Sequence, residues 1–387
     1  MIHVLHVLTS LRLGGAERVI GDLVARTDRS RFRHTVAYLH PPHELADQLR
    51  ASGAEPICLD APTHRGWLQA AKALRPILRA QRPDLIQTAS FDGHLAARLA
   101  GLGLRVPQLS WLVSMEYDPA SVKAAGWPRR SNIARKWLDS ATAKVARARF
   151  VACSGAVRRS AAEQLGIADR RMDVIYNPVD PETVRVEPGE TETLRRALGL
   201  PEEAFVYFTV GRMDAPKDHD TFLRGFARVA AAQPDAYAVL LGHGALETVL
   251  PERARALGIA DRVRFVPSAP RIAPFLALAD AFVFPSLLEG LPVSLLEAML
   301  AGLPSIASDI EPHVEVMRDA ETGLLFPRGS DEALAEAMVR LHGDADLRAR
   351  LGAAAKAEAE ANFTTDVIVP QWEAVYERLA APRRSPA

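Results

Sequence analysis

Residues 281–310 read Ala281-Phe-Val-Phe-Pro-Ser-Leu-Leu-Glu-Gly290-Leu-Pro-Val-Ser-Leu-Leu-Glu-Ala-Met-Leu300-Ala-Gly-Leu-Pro-Ser-Ile-Ala-Ser-Asp-Ile310, and this stretch decides the fold class. Residues 281–284 are a short apolar run with the aromatic and β-branched content of a buried strand. Residues 292–301 read as a helix: Pro292 suits the first turn, where its missing N–H would have no acceptor, and Gly302 and Pro304 end it. Residues 304–308 are the next buried strand. A strand–loop–helix–strand unit of this kind belongs to a parallel α/β sheet, which binds ligands at the carboxyl ends of its strands.

Two carboxylates stand out in this unit. Glu289 lies in the loop before the helix, and Glu297 lies within it among Leu295, Leu296, Ala298 and Met299, an unusual place for an unpartnered charge. Between them the backbone around Gly290, Leu291, Pro292 and Val293 forms a helix N-terminus, which favours an anionic phosphate. A ligand with a diphosphate in its middle and hydroxyls at both ends would use all three features. Sugar nucleotides are such ligands.

The same stretch, Ser286-Leu-Leu-Glu289-Gly-Leu-Pro-Val-Ser-Leu-Leu-Glu297-Ala-Met-Leu-Ala-Gly-Leu-Pro304, resembles the signature of the retaining glycosyltransferases of family 4. The resemblance implies an α/β chain of the GT-B fold, two Rossmann-like domains with parallel doubly wound sheets facing across a cleft. It covers nearly the whole sequence. Gly14-Gly15-Ala-Glu-Arg-Val19 is similar to the family's N-terminal loop, which borders the cleft. Residues 174–180, Val-Ile-Tyr-Asn177-Pro-Val-Asp, resemble the segment where the chain crosses to the second domain. Gly211-Arg212-Met-Asp-Ala-Pro-Lys217-Asp-His-Asp220 resembles the family's Gly-Arg…Lys-Gly-His-Asp loop, with Asp218 where glycine is common. Gly242-His-Gly244 and Thr322-Gly-Leu-Leu-Phe-Pro327 match further segments.

Strands alternate with helices along both halves: strands at 3–8, 34–39, 56–59, 85–87, 108–113 and 149–154, then again at 205–210, 238–241 and 263–266. The expected domains are 1–182 for the acceptor, 183–364 for the nucleotide sugar, and a helix over 365–381 that crosses back to the first domain. Residues 180–200, rich in Glu, Pro and Gly, read as the linker, and the tail from Pro382 to Ala387 reads as disordered.

The resemblance also implies roles. Arg212 and Lys217, on a loop at a strand's carboxyl end, would clamp the diphosphate together with Gly242 and the backbone of Gly290, Leu291, Pro292 and Val293. Glu289 would contact the sugar hydroxyls and Glu297 the ribose hydroxyls. Gly14, Gly15 and Asn177 would line the acceptor side. The family often carries a histidine near the end of the strand at 108–113; here Val113-Ser-Met-Glu-Tyr117 has none. Ser114, Glu116, Asp92 and His94 are the candidates to replace it, and His94 is taken as the catalytic candidate. Retention without a placed nucleophile implies front-face attack, the leaving phosphate taking the acceptor's proton.

Composition narrows the rest. The 387 residues carry 48% hydrophobic and 24% charged side chains, an ordinary soluble composition with room for two cores. Cys58 and Cys153 form neither a disulfide framework nor a metal spacing, which fits a reducing cytoplasm. Residues 1–8 read as a strand rather than a signal peptide, and no apolar run approaches the ~20 residues of a membrane span. No metal constellation is visible, so no cofactor is expected; a UDP- or GDP-sugar is the expected co-substrate. Residues 1–190 hold 27 Lys and Arg against 19 Asp and Glu, a balance of +8, and residues 119–171 hold 12 against 3. That favours an anionic partner for the N-terminal half: a membrane surface or a pyrophosphate-bearing acceptor. The expected partners are thus a nucleotide sugar, a glycan or lipid-linked acceptor and an anionic membrane surface, with no nucleic acid. The expected place is the cytoplasm, peripheral at the inner face of the membrane, in surface polysaccharide or glycolipid synthesis.

Three other readings compete. A GT-B sugar-nucleotide epimerase would share the fold and act on the donor alone. A catalytically silent sugar-nucleotide-binding protein would keep the same loops. A nicotinamide-dependent oxidoreductase would need Gly-x-Gly-x-x-Gly after the first strand, which Leu13-Gly-Gly-Ala-Glu-Arg18 lacks.

Overall fold

The computed structural model describes residues 1–12, 14–63, 66–124, 128–269 and 271–381. Gly126 and Trp127 of the basic segment and the tail from Pro382 lie outside the described residues. The chain divides into two compact units: Met1–Pro178 with the chain from Thr365 onward, and Val179–Thr364.

The first unit alternates strands and helices: β1 (Ile2–Leu8), α1 (Gly15–Arg26), β2 (Phe32–Tyr38), α2 (Ala46–Ala51), β3 (Glu55–Cys58), α3 (Trp67–Gln81), β4 (Leu85–Ala89), α4 (Phe91–Ala100), β5 (Gln108–Leu112), α5 (Pro119–Ala124), α6 (Arg129–Val145), β6 (Arg149–Ala152), α7 (Gly155–Leu165) and β7 (Met172–Val174). Its seven strands pair in parallel in the order β3-β2-β1-β4-β5-β6-β7. β1 and β4 lie centrally and are buried along almost their whole lengths, as expected of strands covered by helices on both faces. α1 buries Val19, Ile20, Leu23 and Val24 at helical spacing.

The second unit repeats the plan: α8 (Glu190–Ala197), β8 (Phe205–Val210), α9 (His219–Ala232), β9 (Ala236–Leu241), α10 (Val249–Ala256), β10 (Val263–Val266), α11 (Ala273–Leu278), β11 (Ala281–Phe284), α12 (Val293–Leu300), β12 (Ser305–Ser308), α13 (Glu311–Val314), β13 (Leu324–Phe326), α14 (Asp331–Gly343) and α15 (Ala345–Asn362). Six parallel strands run β10-β9-β8-β11-β12-β13. Counted from the first strand of each unit, both orders run 3-2-1-4-5-6, with a seventh strand added at the edge in the first unit, the doubly wound Rossmann arrangement. α12 is apolar nearly all round and its last six residues are buried, as such a composition requires.

The last helix, α16 (Thr365–Ala380), belongs to the first unit and packs on α1, β1 and β4. Trp372 and Tyr376 are fully buried there: Trp372 stands edge-on to Trp111 at 5.8 Å, and the Tyr376 hydroxyl donates to Gln87 Oε1 at 2.5 Å. Phe32 and His34 of β2 meet Tyr376 edge-on.

Two expectations need correcting. The 180–200 stretch is not an open linker: Pro181–Val184 forms a 3-10 turn and α8 packs on α11. No residue of α8 is fully buried, so its sparse apolar pattern hid it. The units divide after Pro178 rather than after residue 182, because Val179 donates its N–H to Phe363 O at 2.8 Å and bridges Thr364 within the second unit.

Candidate functional site

In a 3-2-1-4-5-6 sheet the chain leaves strands 1 and 4 in opposite directions, and the loops that splay apart leave a crevice at their carboxyl ends. In the second unit those strands are β8 and β11, and the two loops bring Lys217 and Glu289 together. Lys217 Nζ donates to Glu289 Oε1 at 2.5 Å, with the side chains 17% and 12% exposed. The ammonium also lies 4.9 Å from the centroid of Phe284, the last residue of β11. Leu287 N–H binds Pro216 O at 2.8 Å, tying one loop to the other.

The surrounding backbone explains the position. Asp218 is held at φ +47°, a left-handed conformation that glycine adopts freely and Asp tolerates; its carboxylate caps α9 through Thr221 N–H. His219 Nε2 faces Arg212 O at 3.3 Å, and since a carbonyl only accepts, the ring nitrogen donates. Gly242, at φ +150°, lies so close to this loop that a Cβ would fall 1.9 Å from Gly211 O. On the far side, His313 Nδ1 donates to Ser308 O at 2.8 Å, which leaves Nε2 as a bare lone pair, fully buried and without a partner among the described residues. Its ring packs on Phe284 at 5.4 Å. Burial lowers His313 to about 4, against the opposing pull of Glu289, so the ring stays neutral. Ser286 Oγ is likewise buried without a partner. Both atoms could accept from, and the hydroxyl also donate to, a polar ligand.

The first unit has its own crevice at β1 and β4. Thr9 Oγ1 and Ser90 Oγ meet across it at 2.5 Å. Ser90 sits at φ +72°, a strained conformation for a side-chain-bearing residue. A small open pocket begins here, lined among others by Ser90, His94, Trp111, Ser114, Glu116 and Gln164. His94 is buried, its Nδ1 2.7 Å from Thr88 Oγ1, and burial with nearby Arg98 lowers it to about 3. Burial pushes Glu116 up to about 7 although Arg135 pairs with it. Beneath them lies a buried network: Arg98 pairs with Asp139 and donates to Ser110 Oγ at 2.8 Å, and Tyr117 donates to Asp139 Oδ2 at 2.9 Å.

Comparison with known proteins gives the family. The description "Glycosyl transferases group 1" matches residues 190–358, and "Glycosyltransferase Family 4" matches residues 13–183. A 2-deoxystreptamine glucosyltransferase of Streptomyces kanamyceticus is 30% identical over 302 residues, 74% of this chain and 76% of that protein. The chain belongs to the group 1 glycosyltransferases, family 4. The UDP-Gal:alpha-D-GlcNAc-diphosphoundecaprenol alpha-1,3-galactosyltransferase of Escherichia coli is 25% identical over 307 residues, covering 78% of this chain and 76% of its own. Among solved structures, Anabaena Alr3699/HepE in complex with UDP-glucose superposes with a TM-score of 0.84 at 22% identity, over 98% of this chain and all of that one. The fold is GT-B.

The residues singled out in the glycosyltransferase sequence fall into two groups. Lys217, Glu289, Arg212, Gly242, Gly290, Leu291, Pro292, Val293 and Glu297 lie in the second unit; Gly14, Gly15, His94 and Asn177 lie in the first. Lys217 and Glu289 meet, whereas Arg212 is 68% exposed and pairs with Asp214 at 3.1 Å. Pro292 is the N-cap of α12 rather than part of its first turn, and having no N–H it can donate nothing to a phosphate. Glu297 is buried on the second turn of α12. Gly14 caps α1 and Gly15 begins it. Asn177 is buried at the end of the first unit. Sequence reasoning missed His313 and the Arg98–Asp139 pair. The run Asp309-Ile-Glu-Pro-His313 carries no spacing that marks a ligand, and 41 residues separate Arg98 from Asp139.

Proposed function

We propose that this glycosyltransferase transfers a sugar from a nucleotide-diphosphate sugar to a glycan or lipid-linked acceptor with retention of anomeric configuration and without a metal ion. The observation that carries the reading is the Lys217–Glu289 pair at the β8–β11 crevice, with the N-terminus of α12 beside it. When the anomeric C–O bond to the phosphate breaks, negative charge grows on the diphosphate and positive charge on the sugar. Lys217, Arg212 and the N–H groups of Gly290, Leu291 and Val293 supply the first compensation; Glu289 orients the sugar hydroxyls, and Glu297 the ribose. The acceptor oxygen bonds to the anomeric carbon on the face that the phosphate leaves, and the acceptor's proton passes to a phosphate oxygen. His94 and Glu116, at the β1–β4 crevice, are the candidates for acceptor contacts.

The solved structure with UDP-glucose and the galactosyltransferase that acts on a diphosphoundecaprenol-linked sugar support a UDP-sugar and a lipid-linked acceptor. A thermal-shift series with UDP, GDP, ADP and their sugar conjugates, run with a chelator, tests the donor. At 100 times its dissociation constant a ligand adds about 2.7 kcal/mol of stability. A shift with uridine compounds alone is expected. A shift that appears only when a divalent cation is restored would overturn the metal-free reading, and no shift with any nucleotide would overturn the donor assignment.

A further inference from the structure

One helix face in the first unit is dressed for a partner. α6 packs on α4 and α7, burying Asp139 and Ala143. Its opposite face presents Arg130, Ile133, Ala134, Trp137, Ala141, Lys144 and Val145, which recur at three- and four-residue steps and so form one stripe. Ile133, Trp137 and Val145 are 57%, 72% and 69% exposed, three of the nine large hydrophobic side chains so exposed among the described residues. The stripe is apolar in its middle and cationic at both ends. It holds no carboxylate: the one acidic residue of α6, Asp139, faces inward against Arg98 and Tyr117. The neighbourhood repeats the sign, with 12 basic against 3 acidic residues over 119–171.

We propose that this face of α6 docks on an anionic lipid surface, the helix lying in the plane of the headgroups with Trp137 and Ile133 inserted and Arg130 and Lys144 on the lipid phosphates. A helix with an apolar stripe, an interfacial tryptophan and basic flanks binds a membrane surface in this way, by buried apolar area plus attraction to anionic headgroups. Charge selects lipid over a second copy of the chain. A two-fold contact through this stripe would set Arg130 against Lys144 of the other copy with no carboxylate on the face to relieve them. Among the described residues no helix is long and apolar enough to cross a bilayer, so the contact is peripheral. The inference concerns adhesion alone and does not depend on the transfer reaction.

Vesicle co-sedimentation of the full chain tests it, using phosphatidylcholine alone and phosphatidylcholine mixed with phosphatidylglycerol. The protein should pellet with the anionic vesicles only and release as salt rises. Each basic residue at the surface is worth about fivefold in partitioning, so Arg130→Gln with Lys144→Gln should weaken binding about 25-fold. Trp137→Ala should weaken it at least ~10-fold by removing the inserted ring. All three side chains are exposed, so the variants should melt with the wild type, and nucleotide binding should be unchanged. Equal pelleting with both lipids, no pelleting with either, or full binding by the variants would overturn the proposal. So would loss of self-association on Trp137→Ala, seen by sedimentation velocity, which would make the face a contact between copies.

Discussion

Replacing Lys217 or Glu289 by alanine separates a donor site from a structural ion pair, because the two roles predict different ledgers. The pair is mostly shielded, at 17% and 12% side-chain exposure, and is joined by a 2.5 Å hydrogen bond. A charged hydrogen bond of this kind contributes about 1.5–3 kcal/mol, and deleting one partner leaves the other partly desolvated. Lys217→Ala strands the Glu289 carboxylate. Glu289→Ala strands an ammonium that keeps its aromatic contact with Phe284, so it should cost less stability. The double variant should then cost less than the sum of the singles by ~1–2 kcal/mol, the signature of a direct pair in a double-mutant cycle. Turnover should behave differently. Removing one preorganised donor from a developing oxyanion costs about 10²–10³-fold in rate, so Lys217→Ala should lose at least ~100-fold in sugar transfer. Glu289→Ala should lose a similar factor through misplacement of the sugar, and the double variant should stay near the worse single. Urea unfolding gives the stability cycle, and nucleotide release from the sugar nucleotide gives the rates. Folded single variants that both turn over within threefold of wild type would refute the site, whatever the stability cycle shows.

Histidines that the fold shields from water should make the protein acid-sensitive, His6 and the four that follow among them. His34, His219 and His313 are lowered to about 4 and His94 to about 3, each mainly by burial. The unfolded chain therefore binds more protons between roughly pH 4 and 6.5, and stability is full above that window and falls as pH drops through it, by up to about 3 kcal/mol for each ring. Urea midpoints at pH 5 and 7 should show the loss, and His313→Gln should flatten part of it; a flat profile would contradict the burial argument. Glu116 has the opposite sign. Its folded value of about 7 lies above its ordinary 4.5, so its protonated form favours the fold at low pH and that stability is lost as pH rises through 7. Glu116→Gln, which keeps the neutral shape, should remove this slope of at most about 3 kcal/mol; an unchanged slope would place the ionised carboxylate in the fold. Trp372→Ala should cost about 3–5 kcal/mol in denaturant unfolding, because Trp372 is wholly buried against Trp111. A cost below ~1 kcal/mol would mean that α16 is not integral to the first unit.

The strands were legible because buried parallel strands are written as unbroken apolar runs: residues 205–210 and 281–284 stand in β8 and β11 without a shift of boundary. Helices whose faces are only half covered were harder to read. The sequence of α8 reads as linker, and α10, which buries just Leu250 and Ala254, carries no apolar stripe. Of the candidate site, Lys217 and Glu289 are each marked by their loops, but nothing in the sequence says that side chains 72 residues apart share a hydrogen bond. Strand order supplies that contact, because β11 lies beside β8 although β9 and β10 intervene in the chain. His313 was invisible for a related reason: its neighbours are Ser308, five residues back, and Phe284 on another strand.

The repeated strand order gives the chain two crevices of the same topology and different chemistry, and that difference bears on the proposed placing of donor and acceptor. At β8–β11 an ammonium, a carboxylate, a bare imidazole nitrogen and a helix N-terminus converge, which suits a ligand carrying both phosphate charge and hydroxyls. At β1–β4 the groups are hydroxyls, a neutral histidine and a carboxyl that burial holds close to its neutral form. Arg135 beside it is already committed to Glu116 and stacked 4.0 Å over Phe91. A diphosphate placed in that crevice would meet the Glu116 carboxyl with no lysine or arginine among the described lining residues to offset its charge, whereas a sugar hydroxyl would find both donors and acceptors. Exchanging the charge should therefore move the ligand. Glu116→Lys should give the first unit affinity for UDP or pyrophosphate that Lys217→Ala does not abolish, measured as a thermal shift in the double variant. If the double variant shows no such shift, charge alone does not separate the two crevices, and loop shape must do so.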